Sequence, residues 1–520
     1  MQDLDQILER LADSYEETPY FSNAFKWCAP GYIRAAAHLY GITLPEVSTA
    51  RILEIGCAAG GNCIPAAFLY PNARLVGIDI SEAQIREGQG IIKRAGLKNI
   101  QLHVMCLTEI TPEWGEFDYI ILHGVFSWVP AALQPEIFRV CQQSLSAKGA
   151  AYISFNTYPG WKGHEVLREM MLWHSVDSTS INERIQKSRE VLPFLMQGMA
   201  THNPLHSMLN RLVRNIPTSS DSDYYLAHEY LEHHNNPMYL SDFAHLAQQH
   251  DLRHVGDVDV REELLERHGL HTNKDFIQLA KTKNSIEQQQ LLDYAVGRSF
   301  RKSVVVRESF AAQHAVEPDL RRLQELLFAG WFKRQDGLSY QTLTESIYIE
   351  CQAVQAMLDQ LGQNWPRPIL GNDLKAFAYQ QGVSERRAQA ALEYLFLFVP
   401  IEICRSYEDL PYCLQDYYVG LVDGVEQITL DRQRYKLHIS DFNAWYSSSI
   451  ESFTASELFV IQQLKQEKSA SLVASALAAE WRQRQKESEH IFTNDINTYE
   501  EALGLVEEVI ARLRKYAMYI

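Results

Sequence analysis

The stretch RILEIGCAAGGNCIPAAFLYPNARLVGID, Arg51–Asp79, decides how the rest of the chain is read. Its pattern predicts a buried strand at Arg51–Ile55, a glycine-rich turn at Gly56–Asn62 and a helix at Cys63–Leu69. A second strand, Leu75–Ile78, follows and ends in an acid, Asp79. Gly56, Gly60 and Gly61 allow the backbone to take positive φ and to approach a ligand closely. The helix behind them points unpaired N–H groups and a positive dipole end at that ligand, which suits a carboxylate or phosphate. Asp79 stands about twenty residues on, where an acid accepts hydrogen bonds from ribose hydroxyls. The expected ligand therefore combines a nucleoside with an anionic group.

Two ligand classes fit that description. Gly56-x-Ala58-x-x-Gly61 is a loose match to the dinucleotide fingerprint, a weak pattern by itself. Glu54-Ile-Gly56-x-Ala58-x-Gly60 more closely resembles the first motif of class I S-adenosylmethionine methyltransferases, which has an acid two positions before the first glycine. A nicotinamide site has no evident use for that acid, whereas methionine carries an ammonium that an acidic loop can accept. Ala58 departs from the motif, which usually has glycine there.

The composition bounds the alternatives. The 520 residues suggest three or four domains, and 46% hydrophobic residues provide ample core. A net charge of -17 opposes a nucleic-acid backbone, so nucleic acid is not expected as the main partner. The first residues are acidic and amphipathic, unlike a signal or transit peptide, and no apolar run reaches the length of a membrane span. Eight scattered cysteines without CxxC spacing read as reduced thiols in a cytoplasmic protein.

Beyond Asp79 the chain alternates strand and helix, the signal for a parallel α/β sheet. Ser81-x-x-Gln84 opens a helix that ends near Gly96. Strands are expected at Ile100–Met105, Phe117–Leu122 and Ala150–Phe155, with a helix around Gln134–Leu145. Ligands in such sheets bind beyond the carboxyl ends of the strands. That rule singles out His123-Gly-Val-Phe-Ser127-Trp128-Val-Pro130 and Asn156-Thr-Tyr158-Pro-Gly160-Trp161 as pocket walls, although single His or Trp residues at strand ends are commonly just packed.

Together, YEETPYFS (residues 15–22), LEIGCAAGGN, HGVFSWVP and SFNTYPGW resemble the class I methyltransferases that carry a methyltransferase regulatory domain. That family includes rickettsial protein lysine methyltransferases acting on outer-membrane proteins. The likeness continues through Tyr225–Glu232, Pro237–Phe243 and Arg298–Arg301. The resemblance implies a Rossmann-like domain with a mostly parallel seven-stranded sheet over residues 1–175, followed by mainly helical regions. It implies S-adenosylmethionine contacts at Glu54, Gly56, Cys57, Ala58, Gly60, Asp79, Ile80 and His123, with Tyr15 and Tyr20 near the methionine end. Cys106 and Leu107 would frame the adenine where many class I enzymes have an Asp. It assigns residues 176–310 to dimerisation and regulation, so a homodimer is expected.

Ten of the eighteen histidines fall between His202 and His271, but His228-Glu229 followed by His233 is not HExxH, and no metal is expected. Residues 311–405 read as a winged-helix-like module with Ser384 capping a helix at Glu385–Phe396. Arg386 and Arg387 beside acids favour protein contact there over DNA. Residues 406–520 read as a mixed domain with an aromatic stretch at Phe442–Tyr446 and helices at Ala455–Lys465 and Glu500–Tyr516.

The expected activity is methyl transfer to a protein side chain, lysine by family likeness, with S-adenosylhomocysteine as product. An amine nucleophile must be neutral, and deprotonating an ordinary lysine at pH 7 costs about 4–5 kcal/mol. His123 is the expected base, Asn156 or Tyr158 the orienting groups, and Trp128 a further wall of the channel. Two other readings stand beside it. One is a small-molecule methyltransferase whose extra domains serve dimerisation and gating. The other is a cofactor-binding scaffold without catalysis.

Overall fold

The computed structural model describes residues 22–216, 223–232, 234–312, 317–410, 435–436, 445, 452–464, 466, 469–486 and 498–516. Tyr15, Tyr20, His233 and most of Phe442–Tyr446 lie outside the described residues.

Helix α1 (Pro30–Leu39) precedes an alternating series. This runs β1 (Arg51–Ile55), α2 (Cys63–Leu69), β2 (Arg74–Asp79), α3 (Glu82–Ala95) and β3 (Ile100–Val104). It continues with β4 (Phe117–Leu122), α4 (Gln134–Ser144) and β5 (Leu145–Asn156). The first five strands are parallel, because each crossover carries its apolar face back onto the sheet. Ser81 accepts the Gln84 backbone N–H and starts α3, and Gly96, at φ 69°, ends it in the left-handed conformation.

The sheet is completed far downstream. Strands β6 (Leu252–Asp257) and β7 (Phe300–Arg307) join it antiparallel, giving seven strands in the order β3-β2-β1-β4-β5-β7-β6. The region expected to be helical from 176 to 310 thus also supplies two strands of the sheet that opens at Arg51. A buried run of Val304, Val305 and Val306 explains it, since both faces of β7 are covered. Between β5 and β6 the described residues form five α-helices: α5 (Trp161–His174), α6 (Ile181–Pro193), α7 (His206–Arg214), α8 (Asp223–Tyr230) and α9 (Leu240–Gln248). Helices α5 to α8 share their own core around Leu167, Met171, Leu209 and Leu226.

Arg301 on β7 is fully buried and explains part of the later motif. Its guanidinium meets Asp293 at 2.8 Å, Glu263 at 3.1 Å and Asp257 at 3.2 Å. Although burial opposes charge on Asp257, Arg301 holds that carboxyl far below the usual range. His254, Asp257 and Glu263 lie close enough together to resemble metal ligands, but the Arg301 cation already occupies the acids.

The next region pairs two three-stranded antiparallel sheets with helices α10 (Gln352–Asn364), α11 (Gly371–Gln380) and α12 (Glu385–Phe398). Its core is continuous with that of α1 and α2. Asp409 pins the two together: its carboxylate accepts from Arg34 at 2.9 Å and its carbonyl from the Tyr70 hydroxyl at 2.7 Å. Three helices, Ala455–Leu464, Ala470–Lys486 and Tyr499–Lys515, form a separate small core. The middle one was not apparent in the sequence.

Candidate active site

The strand order reverses between β1 and β4, so the turns after them diverge and leave a crevice. A cavity of about 450 Å³ opens there. Its walls come from the glycine turn, the ends of β2, β4 and β5, and helices α5 and α8.

At one end lies the turn. Gly56, Ala58 and Gly60 have φ of 73°, 49° and 88°, so the backbone curls through the left-handed region three times. A Cβ on Gly56 would sit 2.4 Å from Val125, and one on Gly61 would sit 2.5 Å from the Asn23 carbonyl. Gly61 thus leaves room for the 22–25 segment, which Ser22 fastens by accepting the Gly61 N–H at 2.9 Å. Asp79 crosses to this turn, accepting from the Ala58 N–H at 2.8 Å and the Ser81 N–H at 3.0 Å.

Glu54 is buried below the turn and already engaged. One carboxylate oxygen accepts from Asn62 at 2.8 Å and the other from the Cys63 thiol at 2.9 Å, which fixes the start of α2. Burial nevertheless pushes its pKa up to about 7. The Cys106 N–H is likewise used, by Glu109 at 2.8 Å, so the walls formed by Ile80, Met105 and Leu107 offer mainly apolar contact.

At the other end the two predicted turns converge with elements the sequence did not point to. His123, Trp128 and Asn156 line the cavity, together with Trp161 and His164 of α5 and Tyr225, His228 and Glu229 of α8. Trp161 stacks on His164 with ring centroids 4.5 Å apart. Asn156 donates to Asn235 at 3.2 Å. His228 faces Glu232 at 3.0 Å. The wall residues of α8 lie in a motif, Tyr225–Glu232, that carries only a family likeness in the sequence, where His228 reads as a surface or hydrogen-bonded residue rather than a metal ligand.

Two predicted residues sit differently. Gly60 shapes the turn but does not line the cavity, and neither does Tyr158. The Tyr158 hydroxyl donates to Glu165, and its ring lies under the Lys162 ammonium at 3.7 Å. His123 lines the cavity beside Phe25, with ring centroids 4.4 Å apart, and its Nδ1 is 3.0 Å from the Tyr152 hydroxyl. Burial, helped by Lys302, lowers its pKa to about 4, so the ring is neutral at pH 7 and a weak base.

A seven-stranded sheet in the order β3-β2-β1-β4-β5-β7-β6, with β7 antiparallel, a left-handed glycine turn after β1 and an acid ending β2, has the class I S-adenosylmethionine methyltransferase architecture. Matches to known proteins agree. Residues 52–149 match a family model described as "Methyltransferase domain", and residues 222–307 match one described as "Predicted methyltransferase regulatory domain". Protein RP028 of Rickettsia prowazekii is 36% identical over 237 residues, covering 45% of this chain and 94% of that one. Protein RP789 of the same organism is 37% identical over 305 residues, covering 59% of this chain. The chain spans about half, 54%, of the length of RP789. The solved structure of PKMT2 from Rickettsia typhi in complex with AdoHcy has a TM-score of 0.77 at 21% identity. It covers 96% of this chain and 100% of that one, a likeness of fold. The chain belongs to the S-adenosylmethionine-dependent methyltransferase family that carries a methyltransferase regulatory domain.

The turn end of the cavity suits that cofactor on its own evidence. The buried Gln84 side-chain oxygen lines the cavity and has no hydrogen-bond donor among the described residues, which an adenosyl amino or hydroxyl group would supply. No helix among the described residues is long and apolar enough to cross a membrane.

Proposed function

We propose that this protein transfers a methyl group to the side-chain amine of lysine on a protein substrate. The observation that carries the reading is one cavity with two unlike ends, a left-handed glycine turn and an aromatic chamber. The cofactor, when bound, supplies an electrophilic methyl group on a positively charged sulfur. Gly56, Cys57, Ala58, Asp79, Ile80, Gln84 and Leu107 would hold it, with Gly60 and Glu54 fixing the shape of the turn and Cys106 closing the adenine wall. Trp128, Trp161, Tyr225 and Phe300 would enclose an aliphatic chain and exclude water, which strengthens the electrostatics of the chamber. Neutral His123 and Asn156 would orient the amine lone pair, and Tyr158 would brace the turn between β5 and α5. An aromatic cage also favours a cationic head group by cation–π attraction.

The fold likeness to PKMT2 supports a lysine acceptor, and the large non-catalytic part supports a macromolecular one. Exposed Trp173, Val176 and Phe194 on the helical insertion support self-association, and seven cysteines outside any disulfide among the described residues support a cytoplasmic setting. The test is incubation with tritiated methyl donor and cell extract. Label in protein supports the reading. Label in small molecules alone favours the metabolite enzyme, and cofactor binding without any transfer favours the silent scaffold.

A further inference from the structure

Glu229 stands out among the acids of the chamber. It lines the cavity from α8, and among the described residues no hydrogen-bond donor and no ion-pair partner meets its carboxyl. The neighbouring histidine does not serve it, since His228 is directed to Glu232. A half-buried acid without a partner is costly, and such groups persist where a ligand supplies the missing charge. The aromatic walls on either side, Trp161 and Tyr225, suit a cation on an aliphatic stem. Trp161 adds a buried indole N–H that lacks an acceptor among the described residues, so the chamber also holds a donor for a neighbouring carbonyl of the same ligand.

We infer that Glu229 receives the primary ammonium of the acceptor and takes its proton. The inference rests on the methyltransferase reading above and names the group that prepares the nucleophile. In this step an N–H bond of the ammonium breaks and an O–H bond forms on the carboxylate. The nitrogen keeps the electron pair and becomes the neutral amine that forms the new C–N bond. The proton leaves to solvent when the product departs.

The electrostatics agree. Burial raises the Glu229 pKa to about 7, opposed in part by His228. A carboxyl poised there is ionised above neutrality and able to accept a proton. The other ionisable groups on the chamber are Tyr225 and His228 on α8, His164 on α5 and His123 after β4. Burial lowers the pKa of His164, which keeps that ring neutral. Behind the chamber, Arg168 of α5 is spent on the carbonyls of Tyr230 and Glu232.

The test uses the full chain with S-adenosylhomocysteine and n-butylamine as probes, followed by calorimetry between pH 6 and 9. The wild-type protein is expected to bind the amine tenfold more weakly at pH 6 than at pH 8. Glu229→Gln is expected to lose at least tenfold in amine affinity at pH 8 and to show no such pH dependence. Its S-adenosylhomocysteine affinity stays within twofold of wild type, which also reports that the variant is folded. Glu229→Asp, which keeps the charge, is expected to recover part of the amine affinity. Equal amine binding and equal pH dependence in wild type and Glu229→Gln would overturn the inference, as would absence of amine binding to a wild type that binds S-adenosylhomocysteine. Failure of the wild type to bind S-adenosylhomocysteine at all would instead overturn the methyltransferase reading on which it stands.

Discussion

Asp79, the last residue of β2, accepts the backbone N–H of Ala58 at 2.8 Å, tying the second strand to the turn after the first. The bond spans twenty-one positions of sequence and fixes the turn before any ligand arrives. The same carboxylate is the acid proposed to meet the ribose, so it would both shape the site and contact what binds there. Asp79→Ala removes a charged acceptor with a typical worth of about 2 kcal/mol, so S-adenosylhomocysteine affinity should fall roughly thirtyfold. Calorimetry checks this, and an unchanged affinity would detach Asp79 from the ligand.

Ala58 occupies the left-handed region at φ 49°, where a side chain is strained and glycine is not. Ala58→Gly should therefore raise the stability of the protein, by about 1 kcal/mol once the added flexibility of the unfolded chain is counted. Urea unfolding measures it. A lower stability would mean that the methyl group makes contacts worth more than the strain.

Glu54 gives a pH signature. Its folded pKa, about 7, lies above the ordinary value of 4.5, so the folded state holds its proton more tightly than the unfolded chain does. Its contribution to stability is full below about pH 4.5 and is lost as pH rises through 7, a difference on the order of 3 kcal/mol. Glu54→Gln cannot titrate. The stability of wild type relative to that variant should decline between pH 4.5 and 8, and a flat difference would contradict the buried, protonatable carboxyl.

Arg301 serves the fold. Replacing it with Met leaves Asp257, Asp293 and Glu263 without their shared cation, and breaking a buried ion network from one side costs about 3–5 kcal/mol. Thermal unfolding should show a large drop in Tm. A small change would mean that the acids take up protons and relax.

The glycine turn, the first five strands and the crossover helices were legible because each is a short, uninterrupted pattern: a glycine run, an apolar strand, a capped helix. The antiparallel pair β6 and β7 was not, since Leu252–Asp257 and Phe300–Arg307 lie amid polar helical sequence and find their places only when β7 pairs with β5 and β6 with β7. In the site, His123, Trp128 and Asn156 were placed by the rule that ligands gather beyond strand ends. Tyr158 obeyed the same rule and yet turned to Glu165, because strand-end position does not determine which way a side chain rotates. Glu229 escaped for a different reason. Whether an acid on a helix meets water, a partner or an empty chamber depends on which helix packs across from it, and that is set by the fold of residues 161–230.

The account's central claim is that one cavity brings a methyl donor to a lysine amine. The most direct measurement is tandem mass spectrometry of protein acceptors after incubation with a deuterated methyl donor, locating the transferred group on the modified residue. The account predicts a deuterated methyl on lysine Nζ, strongly reduced at limiting donor when Asp79→Ala replaces the wild type. Label found only on carboxyl groups or on small molecules would contradict it.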